Sequence, residues 1–157
     1  MKKVYIAIGS NKGDRIKNIK RGLKEIEKFL KIKKISSFFE NPPVNAKGGF
    51  FLNGAIEIET NLSPEQLLEK LKDVEKKIGR KFPHKKGEAR EIDFDIIFYE
   101  GKKFKTKKII IPHPEYRKRI FVLRPLLEIN PDFIDPETNK KIKEIYREYT
   151  HQIVEQK

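Results

Sequence analysis

Asp93 and Asp95 stand in the stretch REIDFDIIFYE, residues 90–100. Side chains alternate along a strand, so Ile92, Phe94 and Ile96 fall on one face. The two carboxylates share the other face, followed there by Ile97 and Tyr99. Acids one strand period apart on the same side lie about 7 Å from one another. They repel, and Asp is a poor strand former, so the pattern asks for a compensating partner. One reading is an anionic notch for a hard cation. Mg²⁺ suits it, because that ion takes a few carboxylates plus phosphate oxygens and water. Two such ions about 3.5–4 Å apart would clamp an in-line phosphoryl transfer. The plainer reading leaves both acids solvated, or paired with some of the chain's many cations.

Cations of the right type lie nearby in sequence. Arg80 and Arg90 flank the loop 80–89, RKFPHKKGEA, which is expected to be mobile. Arg117, Arg119 and Arg124 follow His113. Each arginine alone reads as a surface residue. Five in two loops that could border one sheet face point to a polyphosphate, whose oxygens match the guanidinium fork. His113, held between two prolines in IIIPHPEYRKR, is placed to contact phosphate or is a simple loop histidine. The GSNKGD run lacks the Lys-Ser/Thr ending of a P-loop, so its glycines are expected to make a tight strand-to-helix turn. Phe50, Phe51 and Phe121 are core candidates, of which two could sandwich a flat heterocycle. Asn53 faces the same side as Phe51, and its amide both donates and accepts. Burying it without a partner costs roughly 1–3 kcal/mol, which a ligand would relieve.

The elements that must position these residues are legible in outline. Val4–Ile8 reads as a strand ending in Gly9-Ser10-Asn11. Asp14 can cap a helix whose Ile16, Ile19, Leu23, Ile26 and Leu30 keep helical spacing. Ile35–Glu40 is expected as a second strand, stopped by Pro42-Pro43, and Phe50–Glu59 as a third. Ser63, Pro64 and Gln66 spell an N-cap, a first-turn proline and a capping box. Leu67, Leu68, Leu71, Val74 and Ile78 form that helix's buried stripe, and Gly79 ends it. The Asp-bearing strand follows, then a turn at Gly101 and a short strand Ile109–Ile111. Residues 112–130 are part loop and part helix, and the tail from Asn139 is helical. This order predicts an α+β, ferredoxin-like βαββαβ sandwich. Its sheet is mainly antiparallel, with helices on one face and a C-terminal extension. One sheet face then remains for a ligand.

Composition bounds the rest. The 157 residues suffice for one domain spanning 1–157. Thirty-six Lys and Arg against 23 Asp and Glu give a formal charge of +13, which attracts anions such as nucleotides or nucleic acid. Richness in Lys, Glu and Ile, with one Met and no Cys, fits heat adaptation. The absence of cysteine excludes disulfides and thiolate metal sites. The apolar run at Val4–Ile8 is too short for a signal peptide or membrane span. The chain is therefore expected to be cytoplasmic and soluble, without membrane attachment; a monomer is expected as well.

Taken together, the motifs resemble the 6-hydroxymethyl-7,8-dihydropterin pyrophosphokinases of folate biosynthesis. The likeness rests on AIGSN (7–11), NPPV (41–44), FLNGAIEIET (51–60), LSPEQLL (62–68), VEKKIGR (74–80), REIDFDI (90–96) and IPHPEYRKRIFVLRPLLEI (111–129). It runs nearly the whole chain, and the joint pattern is far more specific than any piece. The resemblance implies transfer of the terminal pyrophosphoryl group of ATP to a pterin hydroxymethyl oxygen, releasing AMP. It implies two Mg²⁺ ions on Asp93 and Asp95. It implies phosphate contacts from Arg80, Arg90, His113 and Arg119, with Arg117 beside them, and Glu75 near the adenosine. Arg80 and Arg90 join the two acids as the expected catalytic set. Phe51 and Phe121 would stack on the pterin, Asn53 would hydrogen-bond it, and backbone near Pro43 and Val44 would help. Two departures fall in the loop 80–89. Phe82 stands where the family often has a second Arg, and Gly87-Glu88-Ala89 where it often has Trp-Gly-Pro.

The rival reading is a basic ferredoxin-like RNA-binding domain without catalysis. KGGFFLNGAIEIE faintly echoes an aromatic RNA-binding strand. Its aromatic spacing is off, and Asp93 and Asp95 would repel a phosphate backbone, so no specific nucleic acid is expected as partner.

Overall fold

The first strand, β1 (Lys2–Ser10), lies in the middle of the sheet. It carries Val4, Ile6 and Ile8 on one face and Tyr5 and Ala7 on the other, all buried. A strand buried on both faces reads as a nearly continuous apolar run rather than an alternation, as Val4–Ile8 does. The computed structural model describes residues 1–42, 49–79 and 89–155, the side chains of 153–155 excepted.

Helix α1 (Arg15–Ile26) begins at Asp14, whose carboxylate accepts the Lys17 N–H at 3.1 Å. Strands β2 (Lys31–Ile35) and β3 (Phe39–Asn41) follow, and both pair with β4 (Phe51–Thr60). The single strand expected over 35–40 is thus two. The break falls at Ser36, which leaves the ladder and bonds to Ala55 both ways. Its N–H donates to the Ala55 carbonyl at 2.9 Å and its Oγ accepts the Ala55 N–H at 2.8 Å. Helix α2 (Pro64–Ile78) has the full capping box expected of Ser63 and Gln66, and Gly79 ends it at φ 129°.

Strand β5 (Asp93–Tyr99) completes the order β2-β4-β1-β5, with every neighbouring pair antiparallel. A small hairpin, β6 (Phe104–Lys105) and β7 (Ile110–Ile111), comes next, and then helices α3 (Ile120–Ile129) and α4 (Ile142–Glu155). This is the split βαβ plan the pattern predicts. Helices α1 and α2 cover one face, where Val4, Ile6, Ile8, Ile56, Ile58, Phe94 and Ile96 meet Ile19, Leu67 and Leu71.

The C-terminal extension folds onto the opposite face. Tyr5, Ala55, Ile97 and Phe98 pack there against Tyr116, Leu123, Leu126 and Ile145. Among the described residues that face is therefore left uncovered at one end only. A partly buried ion pair ties two segments of the extension to each other. Asp135 is wholly buried and accepts from the Tyr116 hydroxyl and from Arg117 Nη2 at 2.6 Å. Among the described residues no helix is long and apolar enough to cross a membrane.

One face assignment is corrected. Tyr99 was expected beside Asp93 and Asp95, yet it packs with the α1–α2 core and donates its hydroxyl to the Leu62 carbonyl at 2.7 Å. The cause is a bulge. Tyr5 sits opposite Phe98 and Ile6 opposite Ile96, so Ile97 is an extra residue. One extra residue inverts which face every later side chain takes.

Removing the Asp135 carboxylate leaves a buried tyrosine hydroxyl and a partly buried guanidinium without their acceptor. Asp135→Ala is expected to cost about 3 kcal/mol, measured as the shift in urea unfolding. A loss well under about 1 kcal/mol would mean that the network does not hold the extension.

Candidate active site

Sheet register assembles the open end of this face. Gly9 on β1 lies between Asp93 on β5 and Asn53 on β4, and Phe39 on β3 extends the row. One residue pair further in, Ala7 lies between Asp95 and Ala55. Strands are about 4.8 Å apart, so the carboxylate of the first row and the amide of Asn53 face one another across about 10 Å. The floor between them is nearly flat, because Gly9, Ala7 and Ala55 carry little or no side chain.

Gly9 has a stricter role than the turn expected of it. A Cβ there would come within 2.8 Å of Asn53 Nδ2 and 3.2 Å of Phe51 Cδ1. Both groups lean over the bare glycine backbone. Asn41 Nδ2 donates to Asn53 Oδ1 at 3.1 Å. That bond fixes the amide's orientation and leaves its N–H donors on the Gly9 side.

The acids are held from behind. Glu75 is 3% exposed, and its Oε2 accepts the Phe94 N–H, between the two aspartates, at 2.7 Å. Its direct structural task is to seat β5. The signal available in the sequence was an acid adjoining Val74 within an otherwise apolar helix face. Arg90 donates from Nη1 to Asp93 Oδ2 at 2.9 Å. The Arg90 backbone is clamped by buried Asn11, which accepts its N–H at Oδ1 (2.7 Å) and donates its own N–H to the Arg90 carbonyl (3.0 Å). Asn11 Nδ2 also reaches the Gly49 carbonyl at 3.4 Å. Sequence reasoning marked this residue only as part of a motif.

His113 joins the site through the bulge, since its N–H donates to the Ile97 carbonyl at 3.0 Å. Its Nδ1 accepts the Glu115 N–H at 3.1 Å. The ring proton of the neutral form therefore sits on Nε2, as a donor. Burial, reinforced by the charge of Arg119 and opposed by Glu115 and Asp93, lowers its pKa to about 4. Arg119 in turn lies 5.8 Å from the centroid of the Phe121 ring. Arg117, expected among the phosphate ligands, is turned away to Asp135 and Glu137, which a cation so close to a buried carboxylate must satisfy. Arg80, Pro43 and Val44 lie outside the described residues, as do the loop residues 80–88 with Phe82.

A groove of about 290 Å³ runs along the β5 edge, between Leu68 of α2 and the β6–β7 hairpin, with Asp95, Ile96, Lys108 and His113 on its walls. Sequence reasoning missed its hairpin side, because those residues come together only through tertiary packing. A larger hollow of about 530 Å³ lies along α1. Among the described residues its walls come from that helix and its cap alone, so it is the helix's basic outer face rather than a site.

Among the described residues no three His, Cys, Asp or Glu side chains gather as a metal cluster. Asp93 and Asp95 are nonetheless the donor set that a hard ion takes when water and ligand oxygens complete its shell. The chemistry of the donors fits Mg²⁺.

Comparison with known proteins gives a consistent answer. The model of the family 7,8-dihydro-6-hydroxymethylpterin-pyrophosphokinase matches residues 5–131. A relative from Aquifex aeolicus, named 2-amino-4-hydroxy-6-hydroxymethyldihydropteridine pyrophosphokinase, is 44% identical over 151 residues, covering 96% of this chain and 94% of that one. The folic acid synthesis protein fol1 of Pneumocystis carinii is 42% identical over 141 residues, 88% of this chain but only 19% of that protein. Among solved structures, Plasmodium falciparum HPPK-DHPS with pteroate superposes with a TM-score of 0.79 at 15% identity, over 99% of this chain and 45% of that one. The last shows likeness of fold.

The low pKa of His113 has a consequence for stability. Unfolded, the imidazole takes up a proton near its ordinary 6.5; folded, near about 4. Between those values the unfolded chain binds more protons, so this residue's contribution is present above about 6.5 and is lost as pH falls toward about 4. The difference in unfolding free energy between wild type and His113→Gln should shrink between about pH 7 and about pH 4.5, measured with urea. An unchanged difference would refute a neutral imidazole.

Proposed function

The chain belongs to the 7,8-dihydro-6-hydroxymethylpterin-pyrophosphokinase family, and we propose that it carries out that family's reaction, with the residue roles set out below. It transfers the pyrophosphoryl group of ATP to the hydroxymethyl oxygen of 6-hydroxymethyl-7,8-dihydropterin in folate synthesis. The oxygen–β-phosphorus bond forms, the bond from that phosphorus to the α-phosphate oxygen breaks, the hydroxymethyl proton is lost, and AMP leaves. The observation that carries the assignment of residues is the row Asp93–Gly9–Asn53, with Asp95 beside it. It sets two acids and an amide on one floor, which supports reading them as metal ligands and as the group that reads the ring.

The pterin lies flat on Gly9 with Phe51 against it, and Asn53 offers its N–H donors to the ring. Phe121 on α3 supplies the other stacking face. ATP enters along the β5 edge. Its base lies in the groove between Leu68 and the β6–β7 hairpin, and its phosphates run toward Asp95. His113 donates from Nε2 to a phosphate oxygen as a neutral ring, while Arg119 and Arg90 supply charge. Glu75 is a positioning residue that acts through Phe94.

Two Mg²⁺ ions held by Asp93 and Asp95 would neutralise charge between the phosphates and help the hydroxyl lose its proton. Positioning and charge neutralisation are what such transfers need most, so no side-chain base is assigned. Arg80, and the backbone near Pro43 and Val44, complete the proposal from the segments on either side of the site. One copy of the chain supplies every residue named, which favours a monomer. The RNA-binding alternative loses ground on the same row, since two acids and a bare glycine stand where stacking aromatics would be needed.

The test is AMP release, followed by chromatography, from ATP and Mg²⁺ with and without the pterin. Release that requires both pterin and Mg²⁺ is expected. Release without pterin, or none from folded protein, would overturn the assignment. Asp95→Ala should reduce turnover by about a thousandfold or more with the fold intact. Gly9→Ala should raise KM for the pterin by about tenfold while leaving KM for ATP nearly unchanged, because only Asn53 and Phe51 must move. Equal effects on both substrates would place the pterin elsewhere.

A further inference from the structure

Arg90 and any divalent ion on Asp93 compete for one carboxylate. The existing contact is partial. A single nitrogen, Nη1, reaches a single oxygen, Oδ2, at 2.9 Å, where a bidentate fork would use two of each. The Arg90 Nε is buried with no hydrogen-bond partner. A guanidinium normally makes up to five bonds, so this pose leaves a buried donor unsatisfied. The pair is also only partly desolvated, with the side chains 23% and 19% exposed, which keeps its net worth small. Meanwhile the Arg90 backbone cannot follow a moving side chain, because Asn11 holds both its N–H and its carbonyl.

Resting on the metal-site reading above, we infer that Arg90 is a resident counter-ion of Asp93, and that divalent metal displaces it toward the nucleotide phosphates. Binding of the metal and capture of the phosphates are then one exchange. A dication on Asp93 repels a guanidinium a few ångströms away. The expelled fork, swinging about a fixed Cα, meets phosphate oxygens that satisfy the orphaned Nε as the carboxylate does not. With no ion bound the guanidinium offsets charge on Asp93, and the phosphates meet an arginine that metal binding has just released.

The experiment measures Mn²⁺ alone, without nucleotide or pterin, by the EPR signal of the free ion. Arg90→Met is expected to bind Mn²⁺ about fivefold more tightly than wild type, the factor that a partly exposed ion pair converts to. Arg90→Gln is a second neutral variant, should the first fail to fold. Arg119→Met controls for the loss of a nearby positive charge that is not paired with Asp93, and it should change Mn²⁺ affinity much less. Equal gains in the Arg90 and Arg119 variants, or no gain in either Arg90 variant, would overturn the exchange. Asp93→Asn separates the two ideas. If it binds Mn²⁺ as wild type does, the metal site itself is wrong. If it binds weakly while Arg90→Met gains nothing, only the exchange is wrong.

Discussion

The site depends on the register of β5 against β1. Asp93 and Asp95 face the open floor only while Ile92, Phe94 and Ile96 are buried beneath α1 and α2. A slip of one residue would drive both carboxylates into that core and expose three large apolar side chains. Burying even one unpaired carboxylate costs several kcal/mol, so the apolar face and the acidic face enforce the same register. Glu75 adds a local lock at Phe94. A buried carboxylate accepting a backbone N–H is a strong bond, and it is placed midway between the two acids whose spacing matters.

The bulge at Ile97 separates two demands on one strand. Before it, β5 must show acids to the open floor. After it, the strand must bury Phe98 against Tyr5, Tyr116 and Phe133 under the C-terminal extension and send Tyr99 to the other core. Strict alternation cannot do both, and one extra residue can. The extension covers the face around Tyr5, Ala55 and Phe98, packs Phe121 against that cluster, and brings Arg119 beside His113.

Much of this was legible in the sequence, for definable reasons. The capping box at Ser63 and the apolar stripe of α2 are local signals, and both hold. The alternation at residues 92–96 is local too, and it placed the two acids correctly. What failed was non-local. Nothing in residues 90–100 marks the bulge, which shows only in the pairing with β1 and the bond from His113. Arg117 and Arg119 look alike in a basic run, and only the buried Asp135, eighteen residues on, tells them apart. Gly9 resembled a turn glycine because its neighbours Phe51 and Asn53 are distant in sequence. The break at Ser36 was hidden for the same reason, since its partner is Ala55.

The sheet's two edges show how far the chemistry and the fold share the same groups. The β2 edge carries exposed Lys31, Lys33 and Lys34, and like charges there oppose pairing with another chain. The β5 edge has no such run of lysines. At its bulge the carbonyl of Ile97 is paired instead, since it takes the N–H of His113. The bond that satisfies a stray edge carbonyl therefore also fixes the imidazole backbone at the site. The second bond, from the Glu115 N–H to Nδ1, sets the tautomer. Neither bond requires His113 to be charged, and burial beside Arg119 keeps it neutral. The pairing of a stray edge carbonyl and the choice of a tautomer are in this way consequences of one chain crossing at one place.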